Sequence, residues 1–122
     1  MLFRSLEDFA ADPDVRVVVL RGAGGKSFVS GADISEFESR RSNPEAIAEY
    51  SAIAGRANAA YRALGKPLIA MIQGFCLGGG LLTALKADLR IASDNSRFGI
   101  PAVRLAVGYT YENVKEIGRA HV

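Results

Sequence analysis

The sequence predicts an α/β chain built around short buried strands, and three observations carry that expectation. Three short runs rich in β-branched and other apolar residues occur at residues 15–20, 68–72 and 89–92, the composition of strands in a parallel sheet. Two stretches with apolar residues three and four apart, residues 2–11 and 44–64, have the period of amphipathic helices. Residues 67–85 read as strand, turn and helix in immediate succession. Helix and strand alternating along one chain is the pattern of an α/β architecture.

The first helix follows from Leu2, Leu6, Phe9 and Ala10, and Asp12-Pro13-Asp14 breaks it near Ala11. Residues 15–20 (VRVVVL) then form a buried strand. Residues 22–27 (GAGGKS) are a loop, and residues 28–32 lead into a short helical turn at 34–37. A polar connection, residues 40–44, precedes the longest helix. Asn43 caps it with Pro44 in its first turn, and Ile47, Tyr50, Ile53, Ala54, Ala57, Ala60, Tyr61 and Leu64 line one face. Gly65 ends that helix and Pro67 opens the next strand, Leu68–Ile72. Beyond a turn at Gly74, Gly78-Gly79-Gly80 starts a helix carrying Leu81, Leu82, Ala84, Leu85 and Ala87, and Leu89–Ala92 is a further strand.

The glycine triplet is the stretch that most needs an explanation. Three glycines at a helix start are costly, because each loses more chain entropy than alanine. They leave backbone N–H groups unshielded at the positive end of the helix dipole, a place to hold a developing negative charge. Residues 67–85 carry no charge, yet Pro67, Gln73 and the glycines interrupt them, and no basic cluster flanks them. A membrane span is set aside on that ground.

Composition narrows the function classes. A chain of 122 residues buries one small core. Hydrophobic residues at 49% and charged residues at 23% are ordinary for a globular protein. A net charge of +2 points to neither nucleic acid nor an anionic membrane as a partner. One cysteine, Cys76, rules out an internal disulfide and fits a reducing compartment, so a cytoplasmic location is expected. Residues 1–9 lack the apolar core of a signal peptide, and Glu7 and Asp8 do not suit a transit peptide.

Two blocks carry a family resemblance. IQGFCLGGG, followed by ADLRIAS and RFGIPAVRLAVGY, resembles the enoyl-CoA hydratase/isomerase (crotonase) superfamily, and VVVLRGAGGKSFVSGADISEF is similar to that family's first oxyanion-loop segment. Both stand in the family's order and at its separation, covering nearly the whole chain from Asp12 to Lys115. The resemblance implies the ClpP/crotonase spiral fold of ββα units. It also implies an acyl-CoA thioester as substrate, with coenzyme A entering as part of that substrate and no resident cofactor. Relatives are about twice as long, so residues 1–116 are expected to be a partial domain truncated at both ends and inactive by itself. The parent is expected to be a homotrimer or hexamer. Residues 117–122 resemble one reading frame of a sequencing-library adapter and are expected to be a non-native tail; the chain's single histidine, His121, lies in it.

Thioester chemistry requires a means of holding an enolate oxygen, and two backbone N–H donors in a dry pocket do this without a titratable group. By resemblance the donors are Ala32 and Gly79, with Phe28, Ser30, Gly31, Asp33, Ile34, Gly78, Leu82 and Ala102 around the substrate. The hydratases carry two glutamates that position and activate water. Leu82 and Ala102 occupy those positions here, and neither takes a proton. General acid–base catalysis contributes roughly 10²–10⁴ in rate, so plain hydration and the usual double-bond isomerisation are both placed in doubt. Glu112 and Tyr109 lie near where some relatives place an alternative acid or base, and Glu112 is the candidate catalytic carboxylate. Asp33 and Glu36 follow the first donor. Arg21, Lys26 and Phe28 border the first loop, where the adenine and phosphates of coenzyme A would lie.

Other chemistries fail on residue type. GAGGKS follows a strand, but a phosphate loop needs glycine where Leu20 stands and a helix afterwards. Ser30 has no histidine partner outside the tail, so a serine–histidine triad cannot form, and no cysteine–histidine cluster supports a metal. Three readings remain: a catalyst that stabilises a thioester enolate, a non-catalytic acyl-CoA-binding homologue that has lost both glutamates, and a truncated gene product with no stable fold.

Overall fold

The computed structural model describes residues 2–29, 43–101 and 108–119. They fall into two compact units, residues 1–18 with 32–66 and residues 19–31 with 67–122. The helical turn expected at residues 34–37 lies outside the described residues.

The first unit is a pair of helices. α1, Leu2–Ala11, buries Phe3 and Leu6 and packs against α2, Pro44–Ala63. The Asn43 side chain accepts a hydrogen bond from the Ala46 N–H at 2.7 Å. That bond satisfies one orphan donor and contributes about 1 kcal/mol. Gly65, at φ +63°, takes the left-handed conformation that ends α2. The Asp12 carboxylate accepts from the Asp14 N–H at 2.9 Å, turning the chain out of α1. Lys66 Nζ donates to the Phe9 and Asp12 carbonyls at the same helix end. Arg56 is bidentate to Glu7, at 3.2 and 3.1 Å, and its guanidinium lies 4.5 Å from the centroid of the Phe3 ring. The Tyr61 hydroxyl is buried with no hydrogen-bond partner among the described residues, and burial pushes its pKa up to about 12. The apolar stripe of α2 is sealed only over its last turns. Ala60 and Leu64 are buried, whereas Ile47, Tyr50 and Ile53 are 40–49% exposed.

The second unit carries two three-stranded sheets, ordered β1-β3-β5 and β2-β4-β6. β1 is Val18–Arg21, β2 Ser27–Val29, β3 Leu68–Ile72, β4 Phe75–Leu77, β5 Leu89–Ala92 and β6 Arg97–Gly99. Each strand of the first sheet is followed, across a short turn at residues 22–26, 73–74 or 93–96, by a strand of the second. In chain order a helix then follows each second strand: α2 after β2, α3, Gly79–Leu85, after β4, and α4, Tyr111–Arg119, after β6. This is the ββα repeat that the resemblance implies.

In the first sheet β3 and β5 run parallel, with Ile69 opposite Leu89 and Met71 opposite Ile91. Leu68, Ala70 and Ile72 fill the core on one face. The other face is open, with Leu89 and Ile91 about 60% exposed. β1 begins three residues later than the sequence suggests, and Val18 alone in it is buried, with Val19 51% exposed. A strand with one face in solvent alternates where a doubly covered one would not, which corrects the expectation of a fully buried run at residues 15–20. Ser27, read as loop, is the first residue of β2. β4, β6 and α4 were not anticipated.

Two backbone-directed bonds close the segment from β3 to the end of α3. The Leu68 N–H donates to Asp88 Oδ2 at 2.7 Å, and the Asp88 N–H donates to the Leu68 carbonyl at 2.8 Å. α4 packs on α3, with Lys86 paired to Glu116 at 3.0 Å. It takes in residues 117–119, the first half of the stretch assigned to a tail.

Candidate active site

The second sheet delivers the motifs. β2 and β4 are parallel, with Val29 opposite Cys76, and β4 and β6 are parallel, with Leu77 opposite Gly99. The carboxyl ends of all three strands therefore lie along one edge. Ser30 follows β2, Gly78 follows β4, and Ile100-Pro101 follows β6. The two blocks read as oxyanion segments, and the segment bearing Ala102, thus leave the sheet side by side. In α/β folds ligands bind outside the carboxyl ends of strands.

The three glycines of the triplet serve different ends. Gly78 has φ +56°, a conformation that side chains rarely tolerate, and its N–H continues the ladder by donating to the Gly99 carbonyl at 2.8 Å. Gly80 is buried, and a Cβ there would stand 1.9 Å from the Val29 carbonyl oxygen; its bareness lets α3 lie directly on β2. Gly79 has neither constraint. A Cβ on it would meet nothing within 4 Å among the described residues. The helical ladder starts with the Leu82 N–H donating to the Gly78 carbonyl at 3.2 Å, so the Gly79 N–H has no acceptor among the described residues. Among the described residues the Gly79 N–H is thus left open, with free space beside it, just beyond the carboxyl end of β4.

Several side chains surround this point. Thr83 Oγ1 donates to the Gly79 carbonyl at 2.9 Å, fixing the peptide that follows the free N–H. Sequence reasoning missed that role; the signal was a threonine four residues after a glycine in a helical pattern. The Tyr109 hydroxyl lies 3.4 Å, and Pro101 Cδ 4.0 Å, from where a Gly78 Cβ would be. Burial pushes the Tyr109 pKa above its ordinary value, keeping the phenol neutral and a hydrogen-bond donor. Leu82 is half-buried on α3. Cys76 is fully buried in β4, where burial pushes the thiol up, leaving it neutral and poorly nucleophilic.

The other sequence candidates are placed as follows. Phe28 is 4% exposed and fills the core from β2, while Arg21 and Lys26 are exposed around the first loop. Glu112 is exposed in the first turn of α4, where a carboxylate favours the helix dipole. Ser30, Gly31, Ala32, Asp33, Ile34, Glu36 and Ala102 lie outside the described residues. Among the described residues no group of three His, Cys, Asp or Glu side chains is placed to hold a metal, and no helix is long and apolar enough to cross a membrane.

Comparison with known proteins decides the family. The family model described as "Enoyl-CoA hydratase/isomerase" matches residues 2–120. The chain belongs to the enoyl-CoA hydratase/isomerase family. Within it, the chain is 40% identical over 108 residues to the short-chain-enoyl-CoA hydratase of Clostridium acetobutylicum, covering 88% of this chain and 41% of that protein. It is 44% identical over 97 residues to the (E)-benzylidenesuccinyl-CoA hydratase of Thauera aromatica, covering 78% and 36%. An enoyl-CoA hydratase/carnithine racemase structure from Magnetospirillum magneticum superposes with a TM-score of 0.90 at 39% identity, over 97% of this chain and 44% of that one. The α/β fold is therefore the crotonase-like one. The chain spans about two-fifths of the length of these family members.

Proposed function

We propose that the whole protein binds an acyl-CoA thioester and stabilises its enolate, with the Gly79 N–H as one oxyanion donor and the Ala32 N–H as the other. The observation that supports this reading is the Gly79 peptide: among the described residues its N–H has no acceptor and open space beside it, just beyond the carboxyl end of β4. An enolate oxygen held by preorganised N–H donors needs no titratable group in the protein, which suits a triplet flanked by Leu82 rather than a carboxylate. Relatives named as hydratases of CoA thioesters support the substrate class. Coenzyme A is then part of the substrate and leaves with the product.

Leu82 favours a second reading. A half-buried leucine at the position of the first hydratase glutamate leaves no group there to activate water, as in a homologue that binds acyl-CoA without hydrating it. Two measurements on the whole protein separate the readings: calorimetric binding of butyryl-CoA and turnover of crotonyl-CoA. Binding is expected with weak hydration, and Gly79→Pro, which removes one donor outright, is expected to lower turnover by roughly 10²–10³. Absence of butyryl-CoA binding overturns the acyl-CoA reading. Strong hydration overturns the assignment of Leu82 and Ala102 as vacated proton-transfer positions. Turnover indifferent to Gly79→Pro removes Gly79 from the site.

A further inference from the structure

Two protic side chains lie beside the glycine triplet: Thr83, whose hydroxyl is committed to the Gly79 carbonyl, and Tyr109. Tyr109 belongs to the turn between β6 and α4, which arrives at the same sheet edge as Gly78. Its hydroxyl stands 3.4 Å from the point a Gly78 Cβ would occupy, and Pro101 Cδ lies 4.0 Å from that point. The hydroxyl is thus packed against the residue immediately before Gly79, on the side of the segment that leads to Ala102. It has no hydrogen-bond partner among the described residues, although the ring is half-buried. A hydroxyl with no protein partner among the described residues keeps its donor available to a ligand. Burial also keeps the phenol protonated, and a neutral phenol donates where a phenolate cannot.

We propose that the Tyr109 hydroxyl is a side-chain hydrogen-bond donor to the bound thioester enolate, acting beside the Gly79 N–H. The proposal rests on the acyl-CoA reading above and goes beyond it by assigning a second kind of donor to the site. It gives the pocket a protic group that neither Leu82 nor Ala102 supplies. The glycine at 78 is set by its φ of +56°, and a Cβ there would meet the hydroxyl only at ordinary contact distance. A hydrogen bond to an anionic oxygen is roughly twice as strong as one to a neutral oxygen. The contribution of Tyr109 should therefore appear with an enolate and be nearly absent with a neutral thioester.

The test uses the whole protein and two probes. Butyryl-CoA presents a neutral thioester. Acetoacetyl-CoA presents an acidic α-carbon, and its enolate is followed by near-ultraviolet absorbance. Tyr109→Phe removes one oxygen atom and keeps the ring, and circular dichroism checks that the fold is retained. The expected result is at least a tenfold loss in bound acetoacetyl-CoA enolate, with the dissociation constant for butyryl-CoA within twofold of the unaltered protein. An unchanged enolate signal overturns the proposal, and so does an equal loss with both probes, which would mean that Tyr109 only shapes the pocket. Tyr109→Leu, which gives up the ring as well as the hydroxyl, should weaken both probes, with an enolate loss at least as large as that of Tyr109→Phe; a smaller enolate loss than in Tyr109→Phe overturns the proposal. Gly79→Pro separates the two levels of inference. If it leaves the enolate signal intact while Tyr109→Phe abolishes it, the backbone donor fails and Tyr109 stands. If the unaltered protein binds neither probe, both fail.

Discussion

The two sheets of the second unit have the same number of strands and opposite tasks. The first, β1-β3-β5, has strands of four and five residues, and in β3 it places Leu68, Ala70 and Ile72 in the core. The second, β2-β4-β6, has strands of three residues. Beyond the carboxyl end of each lies a segment read as part of the site: Ser30 onward, Gly78–Gly80, and Pro101 onward. The difference teaches how a repeating ββα unit divides its work. The contrast is sharpest between β3 and β4: β3 puts Leu68, Ala70 and Ile72 in the core, while β4 buries Cys76 alone and aims the glycine triplet that follows it. Stability and chemistry are thereby assigned to neighbouring strands, so they should respond to different substitutions.

That division can be broken by mutation. The largest effect is expected in the first sheet. Ile72→Ala removes a side chain that is 3% exposed and should cost about 2–5 kcal/mol of unfolding free energy, measured by denaturant titration of the whole protein, while butyryl-CoA affinity of the folded fraction is unchanged. A matching loss of affinity would show that the two sheets are not separable. A smaller cost, about 1–3 kcal/mol, is expected for Gly80→Ala, because the added Cβ overpacks α3 against the Val29 carbonyl. Since Val29 ends the strand that leads to Ser30, turnover should fall as well. Loss of stability alone would mean that the end of β2 adjusts without disturbing the site. The smallest effect should have the opposite sign. Gly79→Ala puts a Cβ into open space and adds helix propensity, so it should stabilise by up to about 1 kcal/mol, while lowering acyl-CoA turnover by filling the space a thioester would enter. Gly55→Ala, at an exposed position within α2 with equally open surroundings, should give a similar gain with no loss of turnover. Were both to leave turnover intact, Gly79 would be an ordinary helical glycine.

How far the sequence revealed the fold follows the same division. Leu68–Ile72 and Leu89–Ala92 were legible to the residue, because Pro67, Gln73 and Asp88 bound runs long enough to show a pattern. The start and stop of α2 were legible because Asn43 and Gly65 act through local backbone bonds and angles. β2, β4 and β6 were not. Ser27-Phe28-Val29, Phe75-Cys76-Leu77 and Arg97-Phe98-Gly99 are too short for a period of two to register, and pairing with strands far away in sequence defines them. α4 was hidden for a related reason: Val114 and Ile117 are too few to mark a stripe, and residues 117–122 had been set aside. At the site, the residues alone marked the triplet as costly, and the family resemblance singled out Gly79, but the physical reason that Gly78 and Gly80 are otherwise engaged was not legible. That needed the Gly99 carbonyl beside Gly78 and the Val29 carbonyl beside Gly80, both contributed by other strands. The position of Tyr109 against Gly78 has no sequence signal, since it depends on where the turn after β6 is carried.

The paired bonds between Leu68 and Asp88 have a consequence for the order in which the chain assembles. They join residues 20 apart in sequence, and between those residues lie β3, β4 and α3. Closing a loop of that length costs little chain entropy compared with joining distant strands, so this segment can settle as a unit ahead of the pairings that reach back to β1 and β2. Its amides should then exchange with solvent together, as one cooperative block. The Gly79 peptide, inside the loop, would take its final orientation only when β2 and β6 arrive, because the Val29 and Gly99 carbonyls fix the glycines on either side of it.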